Sequence, residues 1–133
     1  MLVKRKKRGV GAKKLPKAKA WTTRKADKQF SAFIRKRDGK CQHPNCQEIE
    51  RLQCSHFWGR SISATRYDPE NCIALCYRHH YGDTINGWEN RKQGEYRDHM
   101  IKLLGQKKYD ELAIRSREAV QRMDAILKLM TWL

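Results

Sequence analysis

The sequence has 133 residues, a typical length for one domain, and a formal net charge of +16 at pH 7. A chain of this length buries only a small hydrophobic core, so a bound metal would add useful stability. No stretch reaches the roughly 18 apolar residues of a membrane span, and no apolar segment of a secretory signal follows the first basic residues. We therefore expect an intracellular protein whose five cysteines serve as metal-binding thiolates rather than disulfides.

The positive charge is concentrated at the start of the chain. Residues 1–40 carry 16 Lys and Arg against two acids, whereas residues 41–133 carry 14 against 12. Binding to a polyanion releases condensed counterions, so such a segment favours nucleic acid. We predict that residues 1–25 form a disordered basic arm, which binds phosphate rather than serving only as a solubilising tail or an import-like signal. The predicted arm contacts are Lys4, Arg5, Lys6, Lys7, Arg8, Lys13 and Lys14.

The middle of the chain, residues 26–92, is predicted to form the domain core. Within residues 26–37, Phe30 and Ile34 recur at helical spacing, which predicts a short amphipathic helix. Gly39 suits the left-handed cap that ends such a helix. Four further segments follow: a cysteine knuckle at 41–46, a strand at 50–58, a loop at 59–70, and an apolar stretch at 71–76 that leads into a short helix.

Residues 93–133 are predicted to form two C-terminal helices, at 93–104 and 107–130. The second helix carries an apolar stripe, which we interpret as a face that packs on the core or on a partner helix. The residues of the stripe are Leu112, Ile114, Val120, Met123, Ile126, Leu127 and Met130.

Two pairs of metal-ligating residues are separated by about 30 residues. Cys41 and Cys46 form the first pair, and Cys76 and His79 form the second. Two tight turns of this kind can bring four donors to one tetrahedral ion, and three thiolates with one imidazole suit Zn²⁺. The sequence therefore predicts a structural zinc site.

Other donor sets remain open at this level. His43 could replace one of the four ligands, and Cys72 could pair with Cys76 across three intervening residues. Cys54 and Cys72 are alternatively interpreted as small buried hydrophobic residues, which is the commoner role of single cysteines.

The order His56, Asn71, His80, enclosed by the metal-ligating pairs, resembles the HNH nucleases. Longer ordered motifs are similar to phage NinG-type recombination nucleases, over roughly residues 30–115 but not over the basic arm. These motifs are Cys-Ser-His-Phe-Trp-Gly-Arg at 54–60, Thr-Arg-Tyr-Asp-Pro-Glu-Asn-Cys-Ile-Ala-Leu-Cys at 65–76, Gly-Glu-Tyr-Arg at 94–97 and Leu-Leu-Gly at 103–105.

The resemblance implies an α+β fold, a small zinc-stapled ββα-metal core flanked by helices, and a metal-dependent DNA endonuclease. Phosphodiester hydrolysis needs a base for water, and a neutral imidazole near pH 7 suits that task, so His56 is the predicted general base. The resemblance implies that His80 binds the catalytic ion, Mg²⁺ or Mn²⁺, at a site separate from the zinc. Asn71 is expected to hold the loop and the His56 ring by hydrogen bonds.

Two features of the predicted site concern charge. Arg60 and Arg66 are expected to clamp phosphate through bidentate contacts. Many HNH sites carry an acid directly before the base histidine as a second metal ligand, whereas this chain has Ser55 there. Asp83, three residues after His80 and on the same helix face, is a candidate replacement.

The resemblance to recombination nucleases extends the expected substrate to branched DNA, in a phage setting. A nuclease that cuts a junction symmetrically needs two active sites, so a homodimer is implied. The alternative is a zinc-knuckle DNA-binding protein without catalysis, in which His56 and His80 have no reason to converge. A structural phage assembly protein is a third class, with weak DNA affinity and no dependence on divalent ions.

Overall fold

The computed structural model describes residues 19–82, 87–89 and 92–133. The seven basic residues predicted to contact DNA from the arm, and Asp83, lie outside this part of the chain. In chain order the elements are α1 (Thr23–Asp38), β1 (Gln53–His56), α2 (Ser63–Arg66), a 3-10 turn (Pro69–Asn71), β2 (Cys72–Leu75), a π-helical turn (Arg78–Gly82), α3 (Gln93–Leu104), α4 (Gln106–Ser116) and α5 (Arg122–Trp132).

Helix α1 begins and ends with local capping signals. The Thr22 side chain accepts a hydrogen bond from the backbone N–H of Lys25 at 3.1 Å, so the helix starts three residues before the predicted position. Gly39 adopts a left-handed conformation with φ 70°, and its N–H donates to the carbonyl of Arg35, as the sequence predicted. Phe30 and Ile34 are buried on one face of the helix.

A two-stranded antiparallel sheet lies at the centre of the domain, with His56 opposite Cys72 and Gln53 opposite Leu75. Strand β1 is shorter than the predicted strand at 50–58. All of β2 is buried, and its side chains contribute to two hydrophobic clusters, one on each face of the sheet. Cys72 packs with α1 and α5, whereas Ile73 packs with Trp88, Tyr96 and Met100 on the other face.

The C-terminal helices pack against this sheet and against α1. Helix α3 has the predicted bounds, but the predicted helix at 107–130 is wrong, because the chain leaves helical geometry between Ser116 and Arg122. The break lets α4 lie against α2 while α5 contacts both α1 and α2. Leu112 and Ile126 are buried, as expected for core positions, but Ile114 is 60% exposed.

Candidate functional site

Four cysteine and histidine side chains form a cluster that could hold a metal ion. The donor atoms of Cys41, Cys46, Cys76 and His79 all lie within 4.8 Å of one another. His79 Nδ1 is 3.6 Å from the Cys41 sulfur and 3.3 Å from the Cys76 sulfur. Sulfur and nitrogen ligands of one tetrahedral zinc ion stand about 3.5 Å apart, given Zn–S near 2.3 Å and Zn–N near 2.0 Å. The cluster is therefore compatible with zinc.

Local turns bring these four donors together. The Cys46 N–H donates to the His43 carbonyl at 3.1 Å, with Asn45 at φ 64°, and this closes the first turn. The His79 N–H donates to the Cys76 carbonyl at 3.1 Å, which closes the second. Burial raises the pKa of the Cys41 thiol to about 12, so a bound cation is needed to hold it as a thiolate.

The structure decides between the donor sets that the sequence left open. The ring of His43 stacks on the ring of His79, with centroids 3.8 Å apart and planes inclined by 9°. His43 therefore borders the cluster without belonging to it. Cys72 is also outside it, since its side chain packs in the hydrophobic cluster with α1.

His56 is the last residue of β1 and is only 8% exposed. Its Nε2 lies 2.9 Å from the carbonyl oxygen of Arg66. A carbonyl can only accept, so Nε2 carries the hydrogen and the lone pair of the neutral ring is on Nδ1. Burial lowers the pKa of His56 to about 4, which keeps the ring neutral at pH 7. Within the described residues Nδ1 has no hydrogen-bond partner.

Asn71 fixes the loop that follows His56. Its Oδ1 accepts from the Trp58 N–H at 2.8 Å, and its Nδ2 donates to the carbonyls of Trp58 and Thr65 at 2.9 and 3.0 Å. Asn71 thus holds the loop as predicted, but it does not bond the His56 ring directly. The ring is held instead by the carbonyl of Arg66, the residue after Thr65.

The side chain of Arg66 contradicts the predicted phosphate clamp. It is 9% exposed, and its Nε and one terminal nitrogen donate to the Asp27 carboxylate at 2.9 and 2.6 Å. The other terminal nitrogen donates to the Arg60 carbonyl at 2.6 Å. All three nitrogens are engaged inside the protein, so Arg66 positions its own carbonyl for His56. The Arg60 side chain is exposed, and its phosphate contact stays a prediction.

His80 follows the metal cluster directly and is 3% exposed. Its Nδ1 lies 2.7 Å from the side-chain oxygen of Gln53, and its Nε2 lies 3.0 Å from Oε1 of Glu89. The same Glu89 oxygen accepts from the Ser55 hydroxyl and from the His56 N–H, both at 3.1 Å. Glu89 therefore connects the two histidines that the sequence singled out.

Two grooves meet at His56. One, of about 410 Å³, is lined by both His56 and His80, so the structure brings the two predicted histidines to one surface. The basic side chains that line this groove are Lys28, Arg35 and Arg60. The second groove, of about 660 Å³, is lined by His56 and Glu89 together with aromatic residues and Arg97.

A second group of donors, Cys54, His56 and Cys72, also has its atoms within 4.8 Å of one another and could hold a metal ion. Burial raises the pKa of the fully buried Cys72 thiol well above its ordinary value. Cys72 belongs to the hydrophobic cluster, and Cys54 packs against it. Cys72 thus has the packing expected of a small buried hydrophobic residue, and Cys54 is partly buried beside it.

Glu89 and Gln53 belong to the site but were not predicted from the sequence. Glu89 contacts residues more than 30 positions earlier in the chain, so no local spacing marks it. It reaches the site because the Trp88 N–H donates to the His79 carbonyl at 2.9 Å and the Trp88 side chain is buried. The only indication in the sequence was that Ser55 stands at the position where many HNH sites carry an acid.

Comparisons with protein-family models, with curated proteins and with solved structures gave no match to this chain. No helix in the described ranges is long and apolar enough to cross a membrane.

Proposed function

We propose that this protein is a metal-dependent DNA endonuclease of the HNH type, with His56 as its general base. The observation that carries the proposal is the His56 imidazole. It is neutral, fixed by the Arg66 carbonyl, and lines one groove with the buried His80. A base that takes a proton from water needs a free lone pair and a fixed orientation, and this ring has both.

In the proposed reaction Nδ1 of His56 takes one proton from a water molecule. The oxygen of that water forms a new bond to phosphorus, while the bond from phosphorus to the leaving oxygen breaks with its electron pair on that oxygen. The leaving oxygen then takes a proton from solvent. Asn71 and Arg66 contribute by holding the loop that orients the His56 ring.

His80 is the proposed protein ligand for a catalytic divalent ion, Mg²⁺ or Mn²⁺. Such an ion, when bound, stabilises the negative charge that develops on the phosphate and on the leaving oxygen. The donor chemistry fits, because Nε2 of His80 is buried beside a carboxylate oxygen of Glu89 at 3.0 Å. The separate cluster of Cys41, Cys46, Cys76 and His79 is proposed to hold a structural Zn²⁺.

DNA is the proposed substrate because basic side chains line the grooves beside the histidines. Lys28, Arg35 and Arg60 line the groove that contains His56 and His80, and Arg97 lines the neighbouring one. Cationic side chains along a groove attract a phosphate backbone and concentrate it near the base. Branched recombination intermediates in a phage setting, and a homodimer to cut them on two strands, are further parts of this proposal.

A cleavage assay tests the proposed function. Purified protein is incubated with labelled linear duplex and with a four-way junction, in metal-free buffer, in Mg²⁺ and in Mn²⁺. His56→Ala is compared with His99→Gln, which changes a half-buried histidine outside the site. Metal-dependent cleavage that disappears only in His56→Ala supports the nuclease, and the two substrates show whether branched DNA is preferred.

DNA binding without cleavage would favour a DNA-binding protein that is not an enzyme. If wild type and His56→Ala bind DNA equally in a gel-shift assay and neither cuts under any ion, the protein is a zinc-knuckle DNA-binding protein. Sedimentation of the protein, free and on the junction, tests the homodimer, which a monomer in both states would contradict.

A further inference from the structure

The contact between His80 and Glu89 has the distance of an ion pair but not the angle of a hydrogen bond. Nε2 of His80 is 3.0 Å from Oε1 of Glu89, yet among the described residues it is a buried nitrogen without a hydrogen-bond partner. The line between the two atoms therefore departs from the axis along which the ring nitrogen would point its hydrogen or its lone pair.

The other side of the His80 ring indicates which nitrogen holds the hydrogen. Nδ1 lies 2.7 Å from the side-chain oxygen of Gln53, and an amide oxygen accepts a hydrogen bond. The neutral ring consequently carries its hydrogen on Nδ1 and a bare lone pair on Nε2. A histidine that binds a metal typically donates its other N–H to a carbonyl or carboxylate in this way, which fixes the tautomer.

A lone pair and a carboxylate oxygen 3.0 Å apart repel each other unless a positive charge lies between them. Two neighbouring ligands of an octahedral ion, with bonds of about 2.1 Å, stand about 3.0 Å apart, and each lies about 45° off the other's bond axis. The distance between His80 and Glu89 matches this value, and the absence of hydrogen-bond alignment between them is compatible with two ligands of one ion.

Ser55, which stands where many HNH sites carry an acid, holds Glu89 in place. The Ser55 hydroxyl donates to Oε1 of Glu89 at 3.1 Å and also contacts the Tyr96 hydroxyl at 2.8 Å. Oε1 of Glu89 also accepts from the His56 N–H at 3.1 Å, so two protein donors fix this oxygen beside Nε2 of His80.

We propose that Glu89 is the carboxylate ligand of the divalent cation and shares it with His80, in place of the acid that HNH sites carry directly before the base. Ser55 acts as the positioning residue that orients Glu89. This inference rests on the proposed function, because it completes the metal shell of the same site. One imidazole, one carboxylate and remaining positions open to water and phosphate suit Mg²⁺ or Mn²⁺.

The test is a titration of the zinc-loaded protein with Mn²⁺, in which electron paramagnetic resonance measures the free ion. Wild type is compared with Glu89→Gln and with Glu111→Gln, which removes the same charge from an exposed position on α4. We expect Glu89→Gln to bind Mn²⁺ at least about tenfold more weakly, since a lost ligand should weaken binding no less than a lost outer-shell partner. Glu111→Gln should bind like wild type.

The outcomes separate this inference from the proposed function. If wild type cleaves DNA with Mn²⁺ but Glu89→Gln binds the ion as tightly as wild type, the assignment of Glu89 is overturned and the nuclease stands. If wild type neither binds Mn²⁺ nor cleaves DNA, both proposals are overturned.

Two further variants guard against a folding artefact. If Glu89→Gln loses its zinc or its cooperative thermal transition, Glu89→Asp decides, because it keeps the charge but withdraws the carboxylate by one methylene. Binding weakened several-fold supports the inference, and unchanged binding overturns it. His80→Ala should likewise weaken Mn²⁺ binding, because both side chains are proposed to hold one ion, and unchanged binding in this variant would contradict a shared site.

Discussion

Nε2 of His56 donates a hydrogen bond of 2.9 Å to the backbone carbonyl of Arg66, ten residues later in the chain. The bond fixes the tautomer of a ring whose burial also keeps it neutral. A main-chain acceptor cannot be removed by changing the Arg66 side chain, so the orientation of the His56 ring depends on the path of the loop from Trp58 to Asn71. Asn71 sets that path through three hydrogen bonds.

Replacing His56 by Ala should abolish most of the cleavage and leave DNA binding intact. Loss of a general base typically slows a reaction by about 10²–10⁴-fold. Single-turnover cleavage rates with Mg²⁺, measured beside gel-shift affinities, check this. A loss of rate below about threefold would show that another group activates the water.

The free energy of unfolding should fall as the pH drops from 6.5 to 4, partly because of His56. Its pKa is about 4 in the folded protein and near 6.5 in the unfolded chain, so in this range the unfolded state binds the proton. Stability from this group is thus full above pH 6.5 and decreases by up to about 3 kcal/mol by pH 4.

Urea unfolding of wild type and of His56→Gln across this range measures the contribution as a difference. Contributions from the other groups are common to both proteins and cancel in the comparison. Equal pH dependence in the two proteins would mean that His56 titrates normally in the folded state.

One zinc ion per chain should co-purify with the protein, and its removal should lower the thermal midpoint. The four ligands join the knuckle before β1 to the turn after β2, so binding energy contributes directly to folding. A loss of several kcal/mol corresponds to a decrease of about 10 °C or more in a domain of this size.

Metal analysis and thermal unfolding of Cys41→Ser and Cys54→Ser check the zinc prediction. Both variants replace a thiol by a hydroxyl, but only Cys41 belongs to the four-donor cluster. Loss of zinc in Cys54→Ser, with zinc retained in Cys41→Ser, would place the ion at the other group of donors.

Arg66 and Arg60 should respond differently to the same substitution. Arg66→Met breaks the buried contacts with Asp27 and should cost about 1.5–3 kcal/mol of unfolding free energy. Arg60→Met should leave stability unchanged but weaken DNA binding and reduce the slope of log affinity against log salt by about one.

Urea denaturation and salt-dependent gel shifts of the two variants separate these effects. Equal stability of Arg66→Met and wild type would argue that the ion pair contributes nothing. An unchanged salt slope in Arg60→Met would remove Arg60 from the DNA contacts.

Local signals in the sequence predicted α1, α3 and the four-donor cluster, because caps, helical periodicity and ligand spacing are properties of short segments. The prediction of one long helix at 107–130 was wrong because the break depends on long-range contacts rather than on a local signal. Neither Gly nor Pro interrupts residues 116–122, so nothing local marks the break. The ion pairs of Arg115 with Asp68 and Glu70 draw α4 toward the loop, while Ile126 packs with α1.

The site shows the same division between local and long-range signals. His56, Asn71 and His80 were predicted from an ordered motif, and the two histidines share a groove. The wrong prediction for Arg66 arose because its partner Asp27 lies 39 residues away, on a different helix. Glu89 could not be predicted as a site residue, because a single acid in a loop belongs to no sequence motif. Only the fold places it beside Ser55.

His79 and His80 are consecutive residues, yet one side chain joins the four-donor cluster and the other lines the groove. One turn of backbone therefore positions a ligand of the proposed structural zinc site and a residue of the proposed catalytic site. If the cluster binds zinc as proposed, loss of the ion would release that turn, and His80 would lose its position with it. The supply of zinc in the cell would then control the proposed DNA cleavage, although zinc has no proposed role in the reaction itself.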